Sequence, residues 1–274
     1  MAAPGWRFRR RIADHTFALE GEDASLCEVA AELYSGAAAA EGEVQVRYVC
    51  QRVEGGFALR RRGRTLARAT TLGAFFQDAE WALTHESLLR LGGYLQLHAG
   101  TVARQGRALL LVGPPESGKT SLTLGLGLRG WSLLGDEVAL LESDALGVRA
   151  CRRDLILRPG TQALLFPQAP QIPDFKWAEG NCYFSPRLVG PPPDDRAEPA
   201  KLIFPALRLG AAVVRQPLGS AEAARRILEQ AMNLGDWGAA GVELVGRLVE
   251  RCPALELVFG DAREAAGALS EVEG

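Results

Sequence analysis

The sequence predicts an α/β protein. It has a phosphate-loop nucleotide-binding core, a small N-terminal antiparallel sheet region ahead of it and a helical C-terminal part behind it. Three observations lead there. The stretch Leu110-Leu111-Val112-Gly113-Pro114-Pro115-Glu116-Ser117-Gly118-Lys119-Thr120-Ser121 contains a complete G-x-x-x-x-G-K-[ST] pattern. Its context fits, because Arg107 to Val112 is an apolar run of strand length and Ser121 to Leu128 carries apolar residues at helical spacing. Trp131 to Leu141 is then a second apolar strand, interrupted by the adjacent carboxylates Asp136 and Glu137, with sixteen residues between Lys119 and Asp136. That interval holds one helix and a turn, so the acidic strand follows the loop directly.

In chain order, Trp6 to Leu19 alternates well enough for one or two strands. Asp23 is placed to cap a helix through Leu26, Val29, Ala30 and Leu33. Val44 to Val49 alternates as a strand, Glu54-Gly55-Gly56 turns the chain, and Phe57 to Leu59 and Thr65 to Thr70 return as further strands. The aromatics Trp6, Phe8, Phe17, Tyr48 and Phe57 are assigned to its core. Arg7, Arg9, Arg10 and Arg11 form one basic run and Arg60, Arg61, Arg62 and Arg64 another, read as solvated strand faces or as docking sites for an acidic partner. Leu72 to Leu91 is a long helix with an apolar face, read as the bridge to the core and stopped by Gly92-Gly93. The expected division is therefore 1–91 and 92–274.

Tyr94 to Ala103 reads as a strand, Arg104-Gln105-Gly106 as a tight turn and Arg107 to Val112 as the returning strand. That hairpin sets His98 opposite Val112, give or take a residue. Beyond Glu142 the pattern weakens. Arg152 to Leu157 fits a strand, and Arg158 after it is a candidate for neutralising phosphate charge or simply a surface residue. A Pro-rich insert spans about 167–200, and Pro167 to Pro199 holds eight of the fifteen prolines. It is expected to be a linker or a lid rather than a regular core element. Short strands at Leu202–Phe204 and Ala211–Val214 follow, then a helix capped by Ser220, a second from about Trp237 to Arg251, a strand at Leu255–Phe259 and a final helix opened by Asp261.

The chemistry expected of the loop follows from its parts. Glycines let successive N–H groups turn toward phosphate oxygens, and the helix N-terminus adds its positive dipole end. Gly113, Pro114, Pro115, Glu116, Ser117, Gly118, Lys119, Thr120 and Ser121 are the candidate nucleotide-binding set, for ATP with Mg²⁺. Lys119 is placed to reach the β- and γ-phosphates and Thr120 to bind Mg²⁺. The two carboxylates can divide labour, one on Mg²⁺ and one taking a proton from an attacking hydroxyl, or can be a solvated pair ending a strand.

His98, the loop from Gly113 to Thr120, Asp136-Glu137 and the phrase Ala231-Met232-Asn233 together resemble HPr kinase/phosphorylase. The resemblance covers roughly His98 to Asn233. It implies an HPr kinase-like fold for the core, with Asp136 as acid or base for a seryl oxygen, Glu137 as a magnesium ligand in place of an Asp, and His98 as the group tuning Asp136. The family's loop carrying an Arg between Gly and Asn corresponds here to Arg215-Gln216-Pro217-Leu218-Gly219-Ser220, where Ser220 falls in place of the Arg. With that departure the chain resembles the divergent HPr kinase-related serine kinases.

Composition bounds the rest. Apolar content of 47% is enough for a substantial core, and a formal charge of −2 gives no whole-protein attraction to nucleic acid. Five widely spaced cysteines without a C-x-x-C pair suit a reducing compartment. No apolar run approaches the ~20 residues needed to span a bilayer. The expectation is a soluble cytoplasmic kinase, compatible with a homo-oligomer, that transfers the γ-phosphoryl of ATP to a serine of a protein or peptide. A small-metabolite kinase, or a nucleotide-gated peptide-binding module with or without ATPase activity, is the alternative.

Overall fold

The structure, a computed structural model, describes residues 5–37, 42–165, 171–192 and 195–273. It is mixed α/β and divides into two compact units. One comprises Met1–Leu91, Arg153–Pro159 and Ala169–Ser185, the other Gly92–Arg152, Gly160–Gln168 and Pro186–Gly274.

The first unit opens with β1 (Trp6–Ile12) and β2 (His15–Gly21), followed by α1 (Ala24–Glu32), β3 (Val46–Val53), β4 (Gly56–Arg61), β5 (Arg64–Ala69) and α2 (Leu72–Leu88). The five strands form one sheet in chain order. The sheet is mixed rather than antiparallel, because β2 and β3 run parallel, with Phe17 opposite Val46. The reason lies in α1, which makes the link from β2 to β3 a crossover instead of a hairpin. Asp23 caps α1 as the sequence predicts, accepting from Ser25 N at 2.9 Å. At the other end Arg10, buried, donates to the Ala30, Ala31 and Leu33 carbonyls at 3.2, 2.7 and 2.8 Å. A cation on the last carbonyls satisfies acceptors the helix leaves open and complements its dipole. Thr71 caps α2, and Phe75, Phe76, Ala79 and Leu83 make its buried face. Phe17, Tyr48 and Phe57 are buried as assigned, whereas Trp6 and Phe8 remain half-buried.

The second unit starts with β6 (Tyr94–Leu97), β7 (Ala99–Arg104) and β8 (Arg107–Val112), then α3 (Lys119–Gly127), β9 (Ser132–Gly135), β10 (Ala139–Glu142) and β11 (Val148–Arg149). The strand expected from Tyr94 to Ala103 is thus two, broken at His98. Its first part pairs with β10 and its second with β8 and β9. The acidic strand breaks in the same way, between β9 and β10.

The chain then returns to the first unit. There β12 (Leu155–Leu157), β13 (Trp177–Ala178) and β14 (Asn181–Phe184) form a small antiparallel sheet, whereas α4 (Pro159–Leu165), which follows β12, belongs to the second unit from Gly160 on. This corrects the expectation of a linker or lid: Cys182, Tyr183 and Phe184 are core residues. Residues 166–170 and 193–194 of the Pro-rich insert lie outside the described residues. Buried ion pairs tie the segment into its unit. Arg153 Nε and Nη2 donate to Glu80 Oε1 and Oε2 at 2.9 and 2.8 Å, with both side chains buried. Lys176 Nζ lies 2.8 Å from Asp154 Oδ2 and 3.0 Å from Glu32 Oε2. Burial still pushes the Asp154 carboxyl up to about 6, with Lys176 opposing the shift.

The second unit closes with β15 (Arg196–Leu207), β16 (Val214–Leu218), α5 (Ser220–Glu229), α6 (Leu234–Arg251), β17 (Ala254–Phe259) and α7 (Ala262–Glu273). β15 pairs in parallel with both β8 and β17. The three carboxyl ends at Val112, Leu207 and Phe259 therefore point the same way, the end at which α/β sheets place ligands. Ile227, Leu244, Val245 and Leu248 from α5 and α6 pack with Leu110 and Val112 on one sheet face. Each fully buried side chain of this kind contributes about 1.5–3 kcal/mol. By strand alternation Gly100 and Leu111 face the other way, toward α3. Three expectations change in this unit. Residues 214–218 form a strand of which Pro217 is part, as an edge position allows. Ser220 is the first helical residue behind the cap position Gly219. α6 begins at Leu234 and kinks at Gly238. Asp261 does cap α7, accepting from Arg263 N at 2.6 Å and Glu264 N at 3.1 Å.

Candidate functional site

The sequence-predicted residues gather at the carboxyl end of β8. Gly113 leaves the strand, Pro114, Pro115 and Glu116 are exposed at the tip, and Gly118 starts α3 with φ +95°. Two constraints make Gly118 a glycine. Its φ lies in the left-handed region, and a Cβ there would sit 2.7 Å from Phe259 Cζ and 3.3 Å from Leu207 Cβ. The loop is pinned to the neighbouring strand, since Leu207 N donates to Ser117 O at 3.1 Å. Ser121 Oγ lies 2.8 Å from Thr161 Oγ1.

Lys119 is only 4% exposed and donates to Gly113 O at 2.8 Å and Pro114 O at 2.9 Å. Its ammonium therefore lies inside the loop's own curl. Burial draws its pKa down, against the raising effect of the Glu137 and Asp136 charges. The loop lysine and both carboxylates thus share one electrostatic environment. Thr120, at the first turn of α3, is half-buried.

The two carboxylates part company at the β9–β10 break. Asp136 is buried, and its Oδ1 lies 3.5 Å from where a Gly100 Cβ would stand. Glu137 adopts φ +71°, a left-handed conformation costly for a residue with a Cβ. That turn sends its half-exposed carboxylate to His98, whose Nε2 is 2.8 Å from Glu137 Oε2. The carboxylate that His98 bonds directly is thus Glu137, where the resemblance pairs it with Asp136. The physical cause is the reversal at Glu137, which sets successive side chains on different courses. Register supports the hairpin estimate to within one residue, Ala99 standing opposite Val112.

His98 is held from its other side. Its backbone N donates to Gln230 O at 2.8 Å, and its Nδ1 lies 3.3 Å from Gln230 Oε1. The phrase Ala231-Met232-Asn233 continues this seam. Met232 N donates to Gln96 O at 2.7 Å, and Asn233 accepts from Gln96 N at 2.9 Å and donates to Tyr94 O at 3.0 Å. The α5–α6 connection is therefore stitched to β6 beside the site.

Sequence reasoning missed Gln230, Gly100 and Phe259. Gly100 carried a signal, a glycine inside an apolar strand, which marks close approach of a neighbour. Gln230 and Phe259 carried none. Arg158, the candidate phosphate partner, is exposed and belongs to the first unit.

A strand, a glycine-bounded loop, a helix N-terminus, a lysine turned into the loop and two adjacent carboxylates can together hold a phosphorylated ligand and handle a proton beside it. No family model and no curated protein matches the chain. Among the described residues no helix is long and apolar enough to cross a membrane.

Proposed function

We propose that this chain is an ATP-dependent kinase that transfers the γ-phosphoryl group to a hydroxyl, a serine of a protein or peptide. The observation that carries this reading is the loop at the carboxyl end of β8, with Lys119 inside it and Asp136 and Glu137 close enough to bias the lysine's charge. The loop amides and the α3 N-terminus hold the phosphates, and Lys119 exchanges the Gly113 and Pro114 carbonyls for phosphate oxygens. Thr120 and Glu137 would hold Mg²⁺, a hard cation suited to hydroxyl and carboxylate oxygens. When bound, Mg²⁺ supplies neutralisation of phosphate charge. Asp136, buried beside the loop, accepts the proton of the attacking hydroxyl. His98 positions Glu137, and so acts on the metal side of the site.

Asp136→Asn keeps volume but cannot take the proton, so transfer should fall by at least ~10² while Mg-ATP still binds. Lys119→Ala should instead lose most Mg-ATP affinity by calorimetry. Product analysis with a serine-containing acceptor separates the outcomes: a phosphorylated acceptor supports the kinase, free phosphate alone marks an ATPase, and binding without turnover marks a nucleotide-gated module.

A further inference from the structure

In the first unit, both helices lie on one side of the five-stranded sheet. Arg10 reaches α1, and Phe57 meets Phe75 of α2, at 5.9 Å between ring centroids. Strand alternation and register assign the other side. Arg7, Arg9 and Arg11 of β1 stand there beside Glu20, Ala18 and Thr16 of β2, with Arg47 of β3 beside Ala18, Arg60 of β4 beside Val49, and Arg68 of β5 beside Ala58. Arg60 is half-buried and the other five arginines are exposed. Among the described strand residues on this face the only acidic side chain is Glu20, which Arg7 occupies at 2.9 Å.

Arg7 has Glu20 and Arg68 donates to the Glu54 carbonyl at 2.8 Å, but Arg9 and Arg47 leave an electrostatic cost. Arg9 and Arg47 flank the small residue Ala18 from strands two apart, ~10 Å by strand spacing. Neither has an ion-pair partner among the described residues. Arg60 Nε is buried without a hydrogen-bond partner among them. Like charges on neighbouring strands repel. Charge on an edge strand alone could serve to block aggregation. That purpose does not account for Arg47, on the central strand of the five, or for Arg60 and Arg68 beyond it.

β1 ends the sheet, and among the described residues no strand pairs with its outer edge. Its arginines recur every second residue, ~7 Å apart. An extended chain added to that edge would bring its own alternate side chains beside them. We propose that this face is a docking surface for an acidic, extended polypeptide segment of a partner protein, laid along β1. A carboxylate on the added chain would meet Arg9, with Arg47 closing over Ala18, and carboxylates two residues to either side would join the partners that Arg7 and Arg11 already have. Guanidinium groups suit this because they bind carboxylates through paired N–H donors. The face carries no aromatic side chain on which nucleic-acid bases could stack, which favours a polypeptide. The proposal stands apart from the nucleotide site and does not depend on kinase activity.

The test is fluorescence anisotropy on the full chain without nucleotide, at low and at physiological salt. The probes are an octapeptide alternating Glu and Thr, a block octapeptide of the same composition, a single-stranded RNA oligomer and phosphatidylserine vesicles. The alternating peptide should bind most tightly, and Arg9→Glu/Arg47→Glu should weaken it about tenfold or more. Arg9→Gln/Arg47→Gln should give a smaller loss and serves if the charge reversal disturbs folding. Unchanged affinity in these variants, equal binding of the block peptide, or tighter binding of RNA or vesicles would overturn the proposal.

Discussion

Gly118 joins the loop proposed to hold phosphate to the packing of the second unit, and replacing it with Ala tests both at once. Two costs can be worked out. A left-handed conformation costs a residue with a Cβ about 1–2 kcal/mol. The new methyl would also stand 2.7 Å from Cζ of the fully buried Phe259 and 3.3 Å from Cβ of the half-buried Leu207. Overpacking of that kind costs about 1–3 kcal/mol. Together they predict a loss of roughly 2–5 kcal/mol, or about 5–15 °C in the melting of the second unit. Phe259→Leu withdraws the ring atoms that the methyl would strike, but leaves the backbone conformation strained. The double variant should therefore recover the overpacking share, with a favourable coupling of at least ~1 kcal/mol between the two sites. Thermal and urea unfolding of the wild type, both single variants and the double variant measure this. Calorimetry with Mg-ATP on the same four proteins reports whether the loop recovers with the packing. A loss below ~1 kcal/mol for Gly118→Ala, or additive effects in the double variant, would refute the argument.

Three further expectations concern charge. Arg153→Met should destabilise the first unit by about 3–5 kcal/mol, because it leaves the buried Glu80 carboxylate uncompensated. Arg153→Met/Glu80→Leu should recover much of that loss in urea unfolding. His15 is buried, and burial with the Arg90 charge lowers its pKa to about 4 from 6.5. The folded state then binds fewer protons than the unfolded one, so stability should fall as pH drops from about 6.5 to about 4, by about 3 kcal/mol in all. His15→Gln should remove that slope in unfolding titrations. The variant also separates it from the opposite slope expected of Asp154, whose folded pKa is raised to about 6. Finally, His98→Ala and Glu137→Gln should raise the magnesium requirement for phosphoryl transfer alike, and the double variant should be little worse than either, since the two side chains share one bond. Additive losses in steady-state kinetics would show that they act separately.

The loop, the strand before it and the helix after it are legible because local chemistry determines them: a glycine, Gly118, where φ turns positive, a lysine and a threonine at fixed spacing, apolar periodicity on both sides. The caps Asp23 and Asp261 were legible for the same reason, as each bonds backbone two or three residues away. What stayed hidden depends on distant partners. The parallel pairing of β2 with β3 is not distinguishable from a hairpin in an alternating pattern alone. β13 and β14 looked like linker because proline density was weighed above the buried Cys182, Tyr183 and Phe184. The hairpin places His98 to within a residue, but its direct bond goes to Glu137. The hairpin fixes where the ring is, but the left-handed turn at Glu137 decides which carboxylate reaches it, and no glycine marks that turn. Gln230 joins the site from 132 residues away and carries no local signature at all.

The insertion of β12–β14 between the halves of the second unit bears on how the chain emerges from the ribosome. β8 is synthesised early, but β15, which gives it parallel pairing, begins at Arg196, and β17 ends only at Phe259. The first unit, whose last segment ends at Ser185, is complete before β15 exists. Translation at about 5–20 residues per second then leaves several seconds in which a finished first unit is tethered to a second unit whose parallel strands are still unpaired. Truncations before β17 should accordingly yield nascent chains with one protease-resistant part, and a pause placed just after Ser185 should help rather than hinder the yield of native protein.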